Sequence, residues 1–533
     1  MSITINHLTF GYRNAEPLLH DIDLHVSYGE KVALVGDNGT GKSTLLQLAA
    51  GLLHPLAGEV RTEGTPYVVP QHFGQYDAVT VAGALGIDRR LDALHAILGG
   101  ALAEPHYADL GDDWEVESRA RAALDTWGLG HVGFDRPMAE LSGGEKTRVF
   151  LSGIAVHDPA VILLDEPSNH LDSAAREQLY ALIRASRSAM LVVSHDRALL
   201  DLIDTTCELE RGGITRYGGN YAFYREQRAI RMAALEARIG EREKKLRAAH
   251  RTVREVAERK QRQDARGSGK AVREGLPRIM MNTVRNRAEA SGARLGEVHE
   301  ARIGALAGEL RQARGELPAG RDLKVRLDDT VLHRGKVLVE ARGMNFAYGD
   351  HPLWPEPLSL LVRSGDRVAV SGPNGSGKTT LLRLVGGGLE PSSGILERAP
   401  FTTLYVDQEY SLIDGRLTVL GQAERFNARH LPGHELKTEL HRCLFPAGVW
   451  DRPCAALSGG EKMRLLFCCL VIGDAAPDVF ILDEPTNNLD LRSLGVITSA
   501  LRAYRGTVVV VSHDRRFVDE IGADREIALS ART

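Results

Sequence analysis

Gly36-Asp37-Asn38-Gly39-Thr40-Gly41-Lys42-Ser43-Thr44 follows an apolar run, Lys31–Val35 (KVALV), and opens a segment with helical spacing over Thr44–Leu53. This is G-x-x-x-x-G-K-S between a buried strand and a helix, the context in which that spacing carries a mechanism. The glycines let the backbone turn its N–H groups inward toward phosphate oxygens, and the new helix adds its positive N-terminal end. Lys42 is expected on the β- and γ-phosphates of a nucleotide and Ser43 on Mg²⁺.

Downstream come Leu141-Ser142-Gly143-Gly144-Glu145-Lys146 and then the apolar run Val161–Leu164, ending in Asp165-Glu166-Pro167. Such a run reads as a buried strand delivering two carboxylates to the C-terminal edge of a doubly wound sheet, where these folds bind ligands. Asp165 fits Mg²⁺, directly or through water, and Glu166 fits the base that polarises an attacking water. Met190–Ser194 (MLVVS) reads as another buried strand leading into His195-Asp196. A histidine at that edge could sense the γ-phosphate.

The order of a phosphate loop, LSGGE, LLDEP, Asn169-His170-Leu171-Asp172 and Ser-His-Asp resembles an ABC-type ATPase domain. The resemblance implies that Tyr12 stacks on adenine and that Gln71 reaches Mg²⁺ and the water. It also implies that Ser142, Gly143 and Gly144 act in trans, closing over nucleotide held by another such domain.

The second half repeats the set: Tyr348, Gly372-Pro373-Asn374-Gly375-Ser376-Gly377-Lys378-Thr379-Thr380, Gln408, Leu457-Ser458-Gly459-Gly460-Glu461, Val479–Leu482 ending in Asp483-Glu484, and Ser512-His513-Asp514. This is a duplication. Roles transfer position by position: Lys378 on phosphates, Thr379, Gln408 and Asp483 on Mg²⁺, Glu484 as base, and Ser458, Gly459 and Gly460 in trans. The phosphate loops start 336 residues apart, at 36 and 372, whereas the signatures start 316 apart, at 141 and 457. The first copy therefore carries about twenty extra residues, placed at 88–128. Asn487-Asn488-Leu489-Asp490 replaces the N-H-L-D of the first copy. Both copies keep Lys, Asp, Glu and His, so two competent sites are expected.

Between the copies, Tyr221–Gly315 holds 23 Lys+Arg against 12 Asp+Glu, a net +11, while the whole chain is −4 and the remainder is therefore −15. From Ala222 to Arg262 only Gly240 interrupts a mixture of Arg, Lys, Glu and Ala suited to helix. Leu235, Ile239, Leu246, Ala249, Val253 and Val256 form a seam, and Ile303, Leu306, Leu310 and Ala313 form another; two antiparallel helices would satisfy both. Gly267-Ser268-Gly269 and the stretch to Arg287, with Pro277, read as a tip irregular at least in part. Arg262, Arg266, Lys270, Arg273, Arg278, Arg285 and Arg287 are its candidate RNA contacts, tracking phosphates with salt-dependent affinity. A solvated hairpin would spread its charge evenly; here it concentrates at the tip.

Composition is that of an ordinary globular protein, 43% hydrophobic and 26% charged. No run of 18 apolar residues and no secretory leader is visible, so the expected location is the cytoplasm, without membrane contact. Five cysteines, with no C-x-x-C pairing, read as buried free thiols. The expected architecture is α/β: two P-loop ABC-type domains, 1–217 and 331–533, joined by a helical hairpin linker, 218–330. Tandem ABC domains, a charged helical linker and an arm in the first domain resemble the ABC-F family. That resemblance implies a monomer whose ATP- and Mg²⁺-dependent domain closure governs binding to the ribosome and its tRNA, with release on hydrolysis, either as a translation factor or as a protector of the ribosome against antibiotics. The competing reading is a fused ATPase subunit of a transporter with separate membrane chains, which gives no reason for a +11 hairpin.

Overall fold

The computed structural model describes residues 2–12, 17–210, 213–273, 300–314, 332–349, 351–473, 476–487 and 489–530, and for 257, 260, 261 and 263–273 the backbone alone. These fall into two compact units, Met1–Phe223 with Asp322–Thr533, and Tyr224–Arg321.

In the first half of the larger unit, β1 (Ile3–Phe10), β2 (Leu19–Val26) and β4 (Ala57–Thr62) form an antiparallel sheet ordered β2-β1-β4. The main sheet is built from β3 (Lys31–Val35), β5 (Tyr67–Val69), β6 (Val161–Asp165), β7 (Ala189–Val193), β8 (Thr205–Glu210) and β9 (Gly213–Tyr217), ordered β5-β6-β7-β3-β8-β9. All its pairings are parallel except β8–β9. Strands β6 and β7 are buried at every residue, as unbroken apolar runs in a parallel sheet covered on both faces should be. Helices α1 (Lys42–Ala49), α2 (Val81–Leu85), α3 (Asp88–Leu98), α4 (Glu104–Leu110), α5 (Val116–Thr126), α6 (Gly143–His157), α7 (Ser173–Ala185) and α8 (Arg197–Leu200) complete this half. α1 starts two residues before the expected Thr44 and stops short of Leu53, because Gly51 turns left-handed at φ +72°.

Thr80 and Thr418 each cap a helix and each bridge to a proline, Pro137 and Pro453. Between those bridges the first copy carries α2 to α5, whereas the second carries only α12 (Val419–Arg425) and α13 (Gly433–Arg442). The length difference therefore falls on α3 and α4, which pack on each other.

In the smaller unit, α9 (Tyr221–Arg273) meets α10, residues 300–314. Ile239, Leu310 and Ala313 are buried together, with Leu235 and Leu246 against them. Arg242 lies 3.6 Å from Glu309, and Arg314 lies 2.6 Å from Glu243, so ion pairs flank the Ile239 seam where the two helices meet. At the start of the tip, α9 runs helically through Gly267-Ser268-Gly269 to Arg273, although that pattern reads locally as a break. Each glycine costs about 1 kcal/mol relative to alanine, but extending an existing helix avoids the nucleation cost, and Ala, Arg and Lys flank the glycines. Pro277 and the rest of the tip beyond Arg273 lie outside the described residues.

The second half repeats the plan with β10 (Val337–Asn345), β13 (Leu358–Arg363) and β15 (Ser393–Arg398) in the antiparallel sheet and a small hairpin, β11 (Ala347–Tyr348) with β12 (His351–Pro352). Its parallel sheet is ordered β16 (Thr403–Val406), β17 (Val479–Asp483), β18 (Thr507–Val511), β14 (Arg367–Ser371), β19 (Arg525–Ala528). Helices α11 (Lys378–Val385), α14 (Gly459–Ile472), α15 (Leu491–Ala503) and α16 (Arg515–Glu520) join α12 and α13. The five cysteines are free and buried.

Candidate active site

Sheet order brings the chemistry to one edge in each half. The phosphate loop leaves β3, Gln71 follows β5, Asp165-Glu166 end β6 and His195 follows β7. The equivalents leave β14, β16, β17 and β18. In the first loop Lys42 Nζ donates to the carbonyls of Gly36 (2.9 Å) and Asp37 (3.0 Å); Lys378 Nζ donates to those of Gly372 (2.8 Å) and Pro373 (3.0 Å). A Cβ on Gly36 would sit 2.4 Å from the Leu209 carbonyl oxygen, so only glycine fits that turn. Thr40 Oγ1 donates to Asp37 O at 2.9 Å, closing the loop on itself. Burial holds both lysines below their ordinary range, with the facing carboxylates opposing.

Behind the loops, the Ser43 hydroxyl bonds Asp165 and the Thr379 hydroxyl bonds Asp483, while burial pushes both carboxyls up. Tyr405 also donates to Asp483 at 3.1 Å. Glu166 and Glu484 share a left-handed φ of 50°, a strained conformation for a non-glycine residue, held by N–H bonds to Val193 O (2.8 Å) and Val511 O (2.9 Å). The His195 N–H donates to Glu166 Oε2 at 3.2 Å and the His513 N–H to Glu484 Oε2 at 3.3 Å. Each imidazole Nε2 lies near the other oxygen, at 3.4 Å and 3.2 Å. Despite that spacing neither is an ion pair in the free protein: burial raises Glu166 to about 8 and Glu484 to about 7, and lowers His195 to about 3 and His513 to about 4.

Tyr12 and Tyr348 have exposed rings tethered by their hydroxyls to Thr44 Oγ1 (3.2 Å) and Thr380 Oγ1 (3.1 Å). The LSGGE sequence is locally a capping box: Ser142 caps α6 and Glu145 reaches back to the Ser142 N–H at 2.8 Å, with Ser458 and Glu461 repeating it on α14. The S-x-x-E spacing is the sequence signal for that box.

One cleft of about 610 Å³ joins the halves. The first half contributes Ser142, Gly143, Gly144, His170 and Arg176; the second contributes Tyr348, Asn374, Lys378, Thr379, Gln408, Asp483, Glu484 and His513. Asn374 Nδ2 donates across it to His170 O at 3.4 Å. At the other phosphate loop, Arg492 lies 3.4 Å from Asp37, and Asp490 faces Lys42 and His195 electrostatically. Ser458, Gly459 and Gly460 open α14, and a Cβ on Gly460 would meet Ser493 Oγ at 2.8 Å, beside Asp490. Asn488 lies outside the described residues. Sequence reasoning missed Arg176, Arg492 and the outward role of Asp172 and Asp490, because each acts across the junction.

Models of the family described as "ABC transporter" match residues 19–169 and 355–487, and a further one of that description matches 207–276. The chain is 30% identical to the Uncharacterized ABC transporter ATP-binding protein YfmR of Bacillus subtilis, over 95% of this chain and 77% of that one. It belongs to the ABC-F family of ATP-binding cassette proteins. It is also 30% identical to the Energy-dependent translational throttle protein EttA of Mycobacterium tuberculosis, over 94% of this chain and 87% of that one. Among solved structures, the archaeal ribosome recycling factor aABCE1, in complex with ribosomal stalk protein aP1, shares the fold at a TM-score of 0.59 and 22% identity, covering 98% and 87%. As an ABC-F protein with two P-loop cassettes, the chain is an ATP hydrolase. No helix among the described residues is long and apolar enough to cross a membrane.

Of the candidate RNA contacts, Arg262 is exposed on α9, 4.0 Å from Glu258. Arg266, Lys270 and Arg273 lie on the same helix, and Arg278, Arg285 and Arg287 lie outside the described residues.

Proposed function

We propose that this ABC-F protein is a cytoplasmic factor that binds the ribosome as a monomer with two ATP molecules between its cassettes, extends its basic hairpin toward peptidyl-tRNA, and leaves on hydrolysis. One site would pair Lys42, Asp165 and Glu166 with Ser458 and Gly460, the other Lys378, Asp483 and Glu484 with Ser142 and Gly144. The cleft lined by the Ser142–Gly144 signature and the second phosphate loop supports that pairing.

Mg²⁺ fits the donors present. Asp165 Oδ1, Glu166 Oε1 and Glu484 Oε1 are buried without a hydrogen-bond partner, and the Ser43–Asp165 and Thr379–Asp483 pairs are hard oxygen ligands. Ser43, Gln71 and Asp165, or Thr379, Gln408 and Asp483, would hold the ion, which supplies charge stabilisation at the phosphates. Each glutamate would take the proton of a water that adds to the γ-phosphorus as the bond to the β-phosphate oxygen breaks, giving ADP and phosphate. His195 and His513, neutral, would hold the γ-phosphate side of each site. Tyr12 and Tyr348 would stack on adenine. The protein's contribution is mostly positioning and charge.

The observation that carries the ribosomal part is charge: +11 over Tyr221–Gly315 in a chain whose remainder is −15. The names of the relatives EttA and aABCE1, a translational throttle and a ribosome recycling factor, agree with it. The test is co-sedimentation of Glu166→Gln/Glu484→Gln with ribosomes in ATP and in ADP, alongside Lys270, Arg273 and Arg278 changed to Glu. ATP-dependent pelleting weakened by the charge reversal is expected. No pelleting in either nucleotide, with nucleotide binding intact, would remove the ribosome from the account.

A further inference from the structure

The matched loops Asn169–Asp172 and Asn487–Asp490 lead into helices of equal length, α7 and α15, and each aspartate caps its helix. That correspondence sets Arg176 against Leu494. Leu494 is buried apolar surface. Arg176 is 8% exposed, yet borders the 610 Å³ cleft beside Lys378, Glu484 and His513 of the other cassette. Its Nε donates to the Leu171 carbonyl at 3.2 Å, in the loop whose His170 carbonyl accepts from Asn374. Its Nη1 lies 3.8 Å from Asp196, a carboxylate already fixed by the Tyr180 hydroxyl at 2.6 Å.

A guanidinium has donors to spare in a rigid planar fork, so one arginine can brace a carbonyl, face a carboxylate on its own cassette and still present charge to the cleft. Arg176 shares the cleft lining with Glu484 and His513, and Ser173, the first residue of its helix, meets His513 Nδ1 at 3.4 Å. Among the described residues, the charged side chains that act most strongly on Glu166 are Asp165, Lys42 and Asp196 of its own cassette. Arg492, the basic residue that crosses there, meets the phosphate loop at Asp37 instead.

We propose that Arg176 is a positioning residue which the first cassette supplies to the second cassette's site, holding Glu484 and the Leu171–Asp172 loop in place, so that the two sites are built to turn over unequally. This rests on the reading of Glu166 and Glu484 as bases.

The experiment is a single-turnover ATP hydrolysis measurement in two backgrounds: Glu166→Gln, which leaves the Glu484 site, and Glu484→Gln, which leaves the Glu166 site. Arg176→Met keeps the volume and removes the charge. It should slow the first background about tenfold, with the KM for ATP nearly unchanged, and alter the second by less than about twofold. Arg176→Lys should recover most of the lost rate, which a packing role would not predict. Equal slowing in both backgrounds, or no slowing in Glu166→Gln, overturns the proposal. Failure of the underlying reading shows separately: Glu166→Gln/Glu484→Gln would then hydrolyse ATP normally with Arg176 intact.

Discussion

Arg197 of the first cassette and Glu520 of the second lie 2.6 Å apart although 323 residues separate them in the chain. The same guanidinium lies 3.3 Å from Asp514, the residue after His513, and Arg197 itself follows His195-Asp196. Arg516 answers it from the other side at 2.8 Å from Asp201. These pairs join the strand ends that carry His195 and His513 across the junction.

Because the Arg197 side chain is only 7% exposed and that of Asp514 only 15%, removing it strands the Asp514 carboxylate in a poorly solvated place, while the more exposed Glu520 keeps Arg516 at 3.6 Å. Arg197→Ala should lower stability by about 3 kcal/mol, measured as a shift in denaturant midpoint at constant slope. Arg516→Ala, at a more exposed pair, should cost less than about 1 kcal/mol. Equal costs would remove burial as the reason.

Gly144 offers a sharper geometric test. A Cβ there would lie 2.7 Å from the His170 carbonyl oxygen, which is backbone and cannot swing away. Gly144→Ala should therefore displace the Asn169–Asp172 loop and reduce hydrolysis by about tenfold or more. Gly495→Ala, inside α15 with nothing within 4 Å of the added carbon, should instead stabilise by about 0.5–1 kcal/mol and leave hydrolysis alone. Paired denaturation and ATPase measurements on the two variants check both signs.

The raised glutamates predict an acid limb. A base must be ionised, and burial holds Glu166 up at about 8 and Glu484 at about 7, so falling pH protonates both in the free enzyme. The kcat/KM for ATP should rise from about pH 6 to about pH 8.5, over a range broader than one group gives. His195 and His513, held at about 3 and 4 by burial, are already neutral there and add no limb. A flat profile would contradict the base roles.

Much of this was legible in the sequence because its signals are local. KVALV before Gly36, the apolar run before Asp165-Glu166 and the S-x-x-E of the signature each state a strand, an edge or a cap in fewer than ten residues. The helix through Gly267-Ser268-Gly269 was not legible: a breaker pattern was read locally, while helix propagation is decided by the turns already formed. Arg176 was hidden for a different reason. In sequence it is one more charged helix residue. Its meaning comes from Glu484 and His513, more than 300 positions away and brought close only when the cassettes meet.

Asp37 and Arg492 give the last test, because their pair has no counterpart: Pro373 stands where Asp37 would repeat, and Ala174 where Arg492 would. The two side chains lie 3.4 Å apart, with Asp37 44% exposed and Arg492 18% exposed. Solvent screens such a pair, so a double-mutant cycle with Asp37→Ala and Arg492→Ala should give a coupling of about 0.5–1 kcal/mol by denaturation, shrinking as salt is added. Strict additivity of the two costs would mean that the contact contributes nothing to stability. A coupling that survives high salt would mean the pair is shielded far better than its exposure implies, and that this cleft is already drier than its neighbour.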